Sequence, residues 1–310
     1  MSDAALSGGP RHILLVSHTA RPEAVEATLT VYHQLIEAGV TPVMADDERT
    51  NLLAAHGEEL NVAVLHRDTE INEIDIAIVL GGDGTILRAA EMLRGESAPI
   101  VGVNLGHVGF LAESERHDLA KTVTCIVERR YRVEERMALQ VLVKVGGIVV
   151  YETWALNEAT VEKASRERML EVVIEVDGRP LSSFGCDGVV MSTPTGSTAY
   201  SFSGGGPIVW PSVAALLLVP LSAHSLFNRP LVVDPRSSLA VEVLERNQGS
   251  GILWCDGRRA WDLPPGARVV VHRSDVPVRL ARIADAPFTD RLVNKFHLPV
   301  DGWRGPVRGD

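Results

Sequence analysis

The 310-residue chain predicts an α/β domain with a mostly parallel sheet, followed by an all-β, sandwich-like domain. Two observations carry this. Up to about residue 130, short apolar runs alternate with stretches of helical period. After Tyr131 the helical period gives way to β-branched or alternating runs, separated by turn signals such as Gly146-Gly147, Asp177-Gly178, Asp256-Gly257 and Pro264-Pro265-Gly266. A chain of this length with 45% hydrophobic residues can bury two cores. The expected division is a disordered N-terminus over 1–10, an α/β domain over 11–129, a β-rich domain over 130–283 and a C-terminal segment over 284–310.

In chain order, His12 to Ser17 reads as a buried strand, and Pro22 to Ala38 as a helix with Val25, Leu29, Tyr32, Leu35 and Ile36 on one face and Gly39 ending it. Short strands at 42–45 and 62–65 flank a helical stretch from Thr50 to His56. An apolar run ends at Leu80. After four residues dominated by glycine, a helical pattern begins at Thr85 with Ile86, Leu87, Ala89, Ala90 and Leu93. Residues 99–104 read as a further strand, and 115–129 as a helix with Leu119, Val123, Ile126 and Val127 inward. In the second half the strand-like runs are 137–145, 148–156, 170–176, 185–193, 230–233, 238–244, 251–255, 267–273 and 276–283.

Composition narrows the function. A net charge of -10 argues against a nucleic-acid surface or an anionic membrane as partner, although a local anion site built from backbone N–H groups remains compatible with it. Cys125, Cys186 and Cys255 are far apart, with neither disulfide nor metal spacing, which suits a reducing, cytoplasmic setting. The ten His residues form no ligand pattern, so no resident metal site is expected. No basic and apolar leader is legible at the N-terminus, and the longest apolar run, Val213 to Val219, falls well short of the roughly 20 residues of a membrane helix.

Four stretches bear on chemistry. In Gly81-Gly82-Asp83-Gly84-Thr85, a strand, a glycine turn and a helix start present backbone N–H groups to an anion such as phosphate, with Gly81, Gly82, Gly84 and Thr85 as the loop. Asp83 is the one side chain that points out of this turn, with unobstructed access to a sugar hydroxyl or a phosphate-bound metal. Thr85 is placed to cap the helix, and Arg88 to reach the same anion one turn in. The bland alternative is a tight turn whose Asp stabilises a helix N-terminus. Asn104 to Glu113 is a second glycine-punctuated loop at a strand end, with Phe110 a candidate cleft wall or mere local packing. Asn157-Glu158 ends an apolar strand and offers an amide beside a carboxylate, a pair that suits ribose hydroxyls or an ordinary solvated turn. The strongest signal is Cys186 to Pro207, an apolar strand entering a loop of hydroxyls and glycines that opens a short helix near Thr198, where Tyr200 offers a stacking face.

Taken together, these residues resemble the NAD kinase family over nearly the whole chain. Gly81 to Thr85, Asn157-Glu158, Asp187 to Pro207, Asn104 to Ala112 and Arg229 to Val232 all match its motifs. The first motif is shared with diacylglycerol-type lipid kinases, and the second and third separate the families. The resemblance implies phosphorylation of the 2′-hydroxyl of the adenosine ribose of NAD to give NADP, with ATP, or alternatively polyphosphate, as donor. Mg²⁺ would be the divalent metal, arriving with ATP. Asp83 would be the catalytic proton acceptor. Asp83, Gly84, Arg88, Asn157, Glu158, Arg168, Asp187, Thr198, Ala199, Tyr200, Ser201, Phe202 and Ser203 would hold NAD. The resemblance also implies a Rossmann-like first domain, a closing segment near 287–303 that returns to it, and homodimers or homotetramers. Three positions depart from the family pattern: Ile86 for a frequent Phe, His107 for Arg or Lys, and Arg258-Arg259 where a Gln often follows Asp-Gly. A lipid kinase would need an apolar or basic membrane-facing surface, which this acidic chain lacks. A non-catalytic NAD sensor would have no need of Asp83.

Overall fold

The computed structural model describes residues 11–300 except 20, 107, 108, 167, 248, 285 and 286. The expected disordered N-terminus, His107 and the last ten residues lie outside the described residues. Those described cluster into two compact units, one containing the chain up to Glu135 and from Arg279 onward, the other Arg136–Val278.

In unit 1 the chain runs β1 (His12–Ser17), α1 (Pro22–Glu37), β2 (Thr41–Met44), α2 (Asp46–His56), β3 (Ala63–Val64), β4 (Ile74–Leu80), α3 (Asp83–Met92), β5 (Ile100–Asn104), β6 (Ser114–Glu115), α4 (Leu119–Val127) and β7 (Arg132–Arg136). Strands β1 to β5 are parallel in the order β3-β2-β1-β4-β5. The order reverses between β1 and β4, and in such sheets ligands bind beyond the strand ends at this switch point. Alternation along the strands sorts the faces. Ile13, Leu15, Ile76, Ile78, Leu80, Val101 and Val103 pack with Ala27, Val31 and Leu35 of α1 and with Leu119, Val123 and Ile126 of α4. Gly102 points the other way, and a Cβ there would lie 2.5 Å from Ile86 Cδ1, so α3 covers the opposite face and sits directly on the glycine. Helix α2 begins at Asp46 rather than near Thr50. Asp46, Asp47 and Glu48 favour a helix N-terminus by charge, a signal that apolar periodicity does not carry.

Unit 2 contains β8 (Leu139–Val145), β9 (Ile148–Ala155), β10 (Glu158–Lys163), β11 (Leu170–Val176), β12 (Arg179–Cys186), β13 (Gly188–Ser192), the short helix α5 (Tyr200–Ser203), β14 (Leu216–Leu221), β15 (Leu231–Val233), β16 (Leu239–Val243), β17 (Gly251–Cys255), β18 (Arg259–Leu263) and β19 (Arg268–Arg273). They form two antiparallel six-stranded sheets, β15-β14-β13-β10-β17-β18 and β12-β11-β16-β19-β8-β9. One core, including Val141, Val161, Val172, Met191, Leu218, Val241, Leu253 and Val271, draws on both sheets, which makes the unit a sandwich. Strands β10, β12, β14 and β18 were not expected. Glu158–Lys163 and Arg259–Leu263 mix charge with apolar residues, so tertiary pairing rather than local pattern decides them.

The run at 276–283, expected in the β-rich domain, is strand β20 (Val278–Arg282), and it joins the first sheet between β5 and β7. Leu280 pairs in parallel with Ile100. A fully buried parallel strand and a sandwich strand share the same apolar texture, and periodicity does not separate them. Helix α6 (Phe288–Phe296) follows within unit 1 and ends at His297 in the left-handed conformation. Among the described residues no helix is long and apolar enough to cross a membrane.

Candidate active site

Unit 1 places the glycine turn at the sheet's switch point. Strand β4 ends at the fully buried Leu80. A Cβ on Gly81 would come within 2.5 Å of Thr85 Oγ1, so the turn closes only on glycine. Gly82 is the extended N-cap, and α3 starts at Asp83, two residues before the expected Thr85. Thr85 is therefore the third helical residue and does not cap the helix; its amide and that of Ile86 donate to the Gly82 carbonyl at 2.9 and 3.2 Å. As at any helix start, the first amides, here those of Asp83 and Gly84, have no intrahelical acceptor and present a partial positive charge to an anion.

The Asp83 carboxylate is held by the second glycine loop. Phe110 N–H donates to Oδ2 at 3.0 Å and Leu111 N–H to Oδ1 at 3.1 Å. Gly109 makes this approach feasible, because a Cβ there would lie 2.4 Å from Asp83 Oδ1. The loop is set at its start by buried Asn104, whose Oδ1 accepts from Gly106 N–H at 3.2 Å while Nδ2 donates to Glu115 at 2.9 Å. Phe110, expected as a cleft wall or as packing, is a backbone donor to the candidate base whose ring packs with Phe288 and Phe296 at 6.0 and 5.8 Å. The two amides fix the plane of the carboxylate and leave the Asp83 side chain partly exposed.

Arg88 lies one turn into α3, as the sequence places it. It is paired with Glu48 at 2.5 Å and donates to the Ser17 carbonyl at 2.8 Å, bracing the ends of β1 and α2. Glu48 also accepts from Ser17 N–H at 3.0 Å. Burial pushes the Glu48 carboxyl up to about 7, against the pull of Arg88 and the Ser17 amide.

In unit 2 the polar pair Asn157-Glu158 is built around Asp256, which sequence reading took only as a turn. The Asp256 carboxylate accepts from the amides of Leu156 (2.9 Å), Asn157 (2.7 Å) and Glu158 (3.3 Å). Arg259 pairs with it at 3.0 Å, donates to the Trp154 carbonyl and lies over the Trp154 ring at 4.6 Å. The Arg258-Arg259 departure is thus half explained, since Arg259 is the counter-ion of this anchor. Burial raises the Asp256 carboxyl above its ordinary range, while the three amides and Arg259 oppose the shift. Glu158 is buried, and its Oε2 has no hydrogen-bond partner. Desolvation and the neighbouring Asp256 push Glu158 up to about 8, with the Tyr200 backbone amide opposing.

The long signature is mostly scaffold. Thr193 Oγ1 donates to the Leu156 carbonyl at 2.6 Å and accepts from Gly196 N–H at 3.1 Å. Gly196 is pressed against Asn157, where a Cβ would lie 2.1 Å from the carbonyl oxygen. Ser197 bridges Pro194 and Val209, and Ser201 is buried with its hydroxyl unpartnered. What faces outward is Tyr200, Phe202 and Ser203, with Thr198 and Ala199 half-buried. The Tyr200 phenol is raised by burial and by the field of Glu162, Asp187 and Glu158. The structure therefore brings Asn157, Glu158 and Thr198 to Ser203 together. Asp187 lies at the far end of the β10–β13 pair, where Gly188 faces Glu162 and Ser192 faces Glu158. It is held at 2.5 Å by Lys163, which with Ser222 pulls its carboxyl below the ordinary range. Arg168 is exposed on the segment between β10 and β11. Gly109 and Asp256 are the functional positions sequence reading missed; an Asp-Gly turn directly after a buried strand, Gly251–Cys255, was the available signal for the second.

A switch-point glycine turn carrying a clamped carboxylate, paired in one chain with a hydroxyl-rich sandwich, defines a two-domain phosphotransferase of nucleotides. Residues 13–131 match the model of the ATP-NAD kinase N-terminal domain and residues 156–283 that of the ATP-NAD kinase C-terminal domain. The NAD kinase of Leifsonia xyli subsp. xyli is 68% identical over 296 residues, covering 96% of this chain and 97% of that protein. That of Thermobifida fusca is 58% identical over 301 residues, covering 95% and 92%. The chain belongs to the NAD kinase family. Its fold is also that of a yeast NADH kinase solved with NADH (TM-score 0.85, 22% identity, 95% of this chain and 89% of that one). It is likewise that of an Archaeoglobus fulgidus NAD kinase solved with ATP (TM-score 0.69, 22% identity, 92% and 98%).

Proposed function

We propose that this protein transfers the γ-phosphoryl group of ATP to the 2′-hydroxyl of the adenosine ribose of NAD, releasing NADP and ADP. The observation that carries the chemistry is the clamped Asp83 carboxylate at the mouth of a phosphate-binding turn. The ribose oxygen attacks the γ-phosphorus, the bond to the β–γ bridging oxygen breaks, and the hydroxyl proton passes to Asp83. Asp83 acts first by orienting the hydroxyl, and the proton passes late, as the phosphoryl group arrives. Phosphoryl transfer asks mainly for positioning and charge neutralisation, which the helix-start amides of Asp83 and Gly84 supply in part.

On this reading Gly81, Gly82, Gly84 and Thr85 shape the donor loop. NAD is held by Asp83, Gly84, Asn157, Glu158, Asp187 and Thr198 to Ser203, with Arg168 at the exposed periphery. Arg88 contributes by bracing β1, its guanidinium being engaged by Glu48 and Ser17. Among the described residues no three His, Cys, Asp or Glu side chains gather as a metal site. The Mg²⁺ that neutralises the triphosphate is read, as the family resemblance implies, as part of the substrate, bound to ATP, and no residue is assigned to it. Inorganic polyphosphate is an alternative donor, and a cytoplasmic homodimer or homotetramer is the form in which the enzyme would act; both follow the family.

The test mixes the full chain with NAD, ATP and Mg²⁺ and reads NADP with an NADP-specific dehydrogenase, polyphosphate replacing ATP in a parallel arm. NADP is expected in the ATP arm and is lost in Asp83→Asn with NAD still bound. No NADP with either donor from a protein that binds NAD would turn the reading to a sensor.

A further inference from the structure

The candidate base is held by a loop that is itself held from behind. Arg291, on α6, donates through Nη1 to the carbonyls of Phe110 (3.1 Å) and Ala112 (2.5 Å), and through Nη2 to Glu113 (3.0 Å). Glu113 is almost wholly buried and is shared. Arg282 of β20 donates to the same carboxylate at 2.9 Å, and the amides of Ile283 and Ala284 donate to its other oxygen at 2.9 Å. Arg282 is tied in turn to Glu134 at 2.7 Å. Phe288 and Phe296 press on the Phe110 ring from the two ends of α6. This amounts to a buried, charged and aromatic brace behind one tetrapeptide of loop, Phe110 to Glu113.

Peptide chemistry gives the brace a direction. The Phe110 carbonyl and the Leu111 N–H belong to one peptide unit. Arg291 donates to its oxygen, and its N–H donates to Asp83 Oδ1 at 3.1 Å. A cation on the oxygen withdraws density from the nitrogen and strengthens the second bond. We propose that Arg291 is a positioning residue for the phosphoryl transfer, acting through the Phe110–Leu111 peptide to hold and orient the Asp83 carboxylate, with Glu113 and Arg282 fixing Arg291 in turn. The proposal rests on the reading of Asp83 as the catalytic residue. It makes the C-terminal segment, which carries neither the glycine turn nor the signature loop, part of the machinery for turnover and not for binding.

The full-length protein with Asp83→Asn, Arg291→Met, Arg291→Lys and the double variant Asp83→Asn/Arg291→Met separates the two claims. Folding is followed by circular dichroism, and kcat and KM by NADP formation. Arg291→Met keeps an unbranched apolar stem without the guanidinium and leaves Phe288 and Phe296 of α6 untouched. It is expected to lower kcat about tenfold while leaving KM for NAD and ATP within about twofold. Arg291→Lys, which retains a cation able to reach one carbonyl and Glu113, is expected to recover kcat to within about threefold of the parent. In the Asp83→Asn background the Met substitution is expected to change the residual rate by less than about twofold, because the oriented group is gone. Unchanged kcat in Arg291→Met, a change confined to KM, or full additivity with Asp83→Asn each overturns the relay. Should Arg291→Met not fold, the neutral Arg291→Gln takes its place: a lower kcat at an unchanged KM and melting temperature supports the relay, and a parental kcat overturns it. Near-normal turnover in Asp83→Asn overturns the underlying assignment of Asp83 instead, whatever Arg291 does.

Discussion

Asp83 and Asp256 are both single carboxylates next to glycine, at the end of a buried strand, gripped by backbone amides, yet the two are built for opposite ends. Asp256 accepts three amides and an Arg259 ion pair, and its side chain is 2% exposed. Asp83 accepts two amides, one on each oxygen, and its side chain stays partly open. A carboxylate with every lone-pair direction and its charge answered from within is an anchor. One that is oriented but incompletely answered keeps capacity for an incoming hydroxyl. On the proposed reading of Asp83, the difference in surroundings, not in residue type, divides reactive group from framework.

The sharpest test of that division exchanges oxygen for nitrogen at both positions. Asp83→Asn is expected to lower kcat by about 10²- to 10⁴-fold, the usual range for a lost general base, with a melting temperature close to the parent. Asp256→Asn is expected to act on folding. It places an NH₂ group against the amides of the Leu156–Glu158 turn and leaves Arg259 without its carboxylate, a loss of about 3 kcal/mol read by urea unfolding. NAD affinity should fall with it, because the turn carries Asn157 and Glu158. If Asp83→Asn unfolds the protein and Asp256→Asn leaves stability intact but removes turnover, the comparison is inverted and the assignment fails.

The two glycines that permit these grips sharpen the contrast. Gly109→Ala would set a methyl group 2.4 Å from Asp83 Oδ1, so the carboxylate or the loop must move. A misplacement of this kind costs about 10²-fold in kcat with little change in stability. Gly196→Ala would set a methyl group 2.1 Å from the Asn157 carbonyl oxygen, backbone against backbone, with no side chain free to yield. The expected result is a loss of about 1–3 kcal/mol of stability, measurable by thermal melting, with turnover per folded molecule less affected. Equal effects of the two substitutions on kcat per folded molecule would show that both loops belong to the reacting site.

Much of the architecture was legible because it rests on local pattern. The α/β half follows from apolar runs alternating with helical stripes, and the glycine turn from a strand that stops at Leu80. The illegible parts depend on distant partners. Asp83 meets Phe110 and Leu111, 27 and 28 residues away, and the Leu156–Glu158 turn meets Asp256 from 98 to 100 residues away. The same holds for β20, whose apolar texture suits either domain until its pairing with Ile100 is seen. The hydroxyls of the signature are in part a further case of distant pairing. Thr193 reaches across to the Leu156 and Asn157 carbonyls, while Ser197 and Thr198 bond to Pro194 and Thr195 of their own loop, so part of the motif frames the Leu156–Glu158 turn.

The smallest expected effect concerns the third carboxyl of the comparison. Glu158 is neither amply answered like Asp256 nor open like Asp83: one oxygen is buried without a partner, and burial holds its proton to about 8 against an ordinary 4.5. A raised folded-state pKa means that the native state binds the proton more tightly than the unfolded chain. The stability this contributes is fully present below the unfolded value and is lost as pH rises through the folded one. Glu48, held at about 7, adds a slope of the same sign that ends sooner. Melting temperature should therefore decline from about pH 5 to pH 8, and the last part of the decline, between the two folded values, belongs to Glu158. Glu158→Gln, neutral throughout, should flatten that last part and also lessen the earlier slope, to which both carboxyls contribute, whereas Glu48→Gln should lessen the earlier slope and leave the last part. Ribose hydroxyls donating to Glu158 would favour its ionised form, so NAD binding near neutral pH should release protons, seen as a dependence of the calorimetric heat on buffer ionisation enthalpy. A heat independent of buffer, with an unchanged melting slope in Glu158→Gln, would mean that Glu158 is already ionised, and hence that water or another group answers the oxygen left unpartnered here.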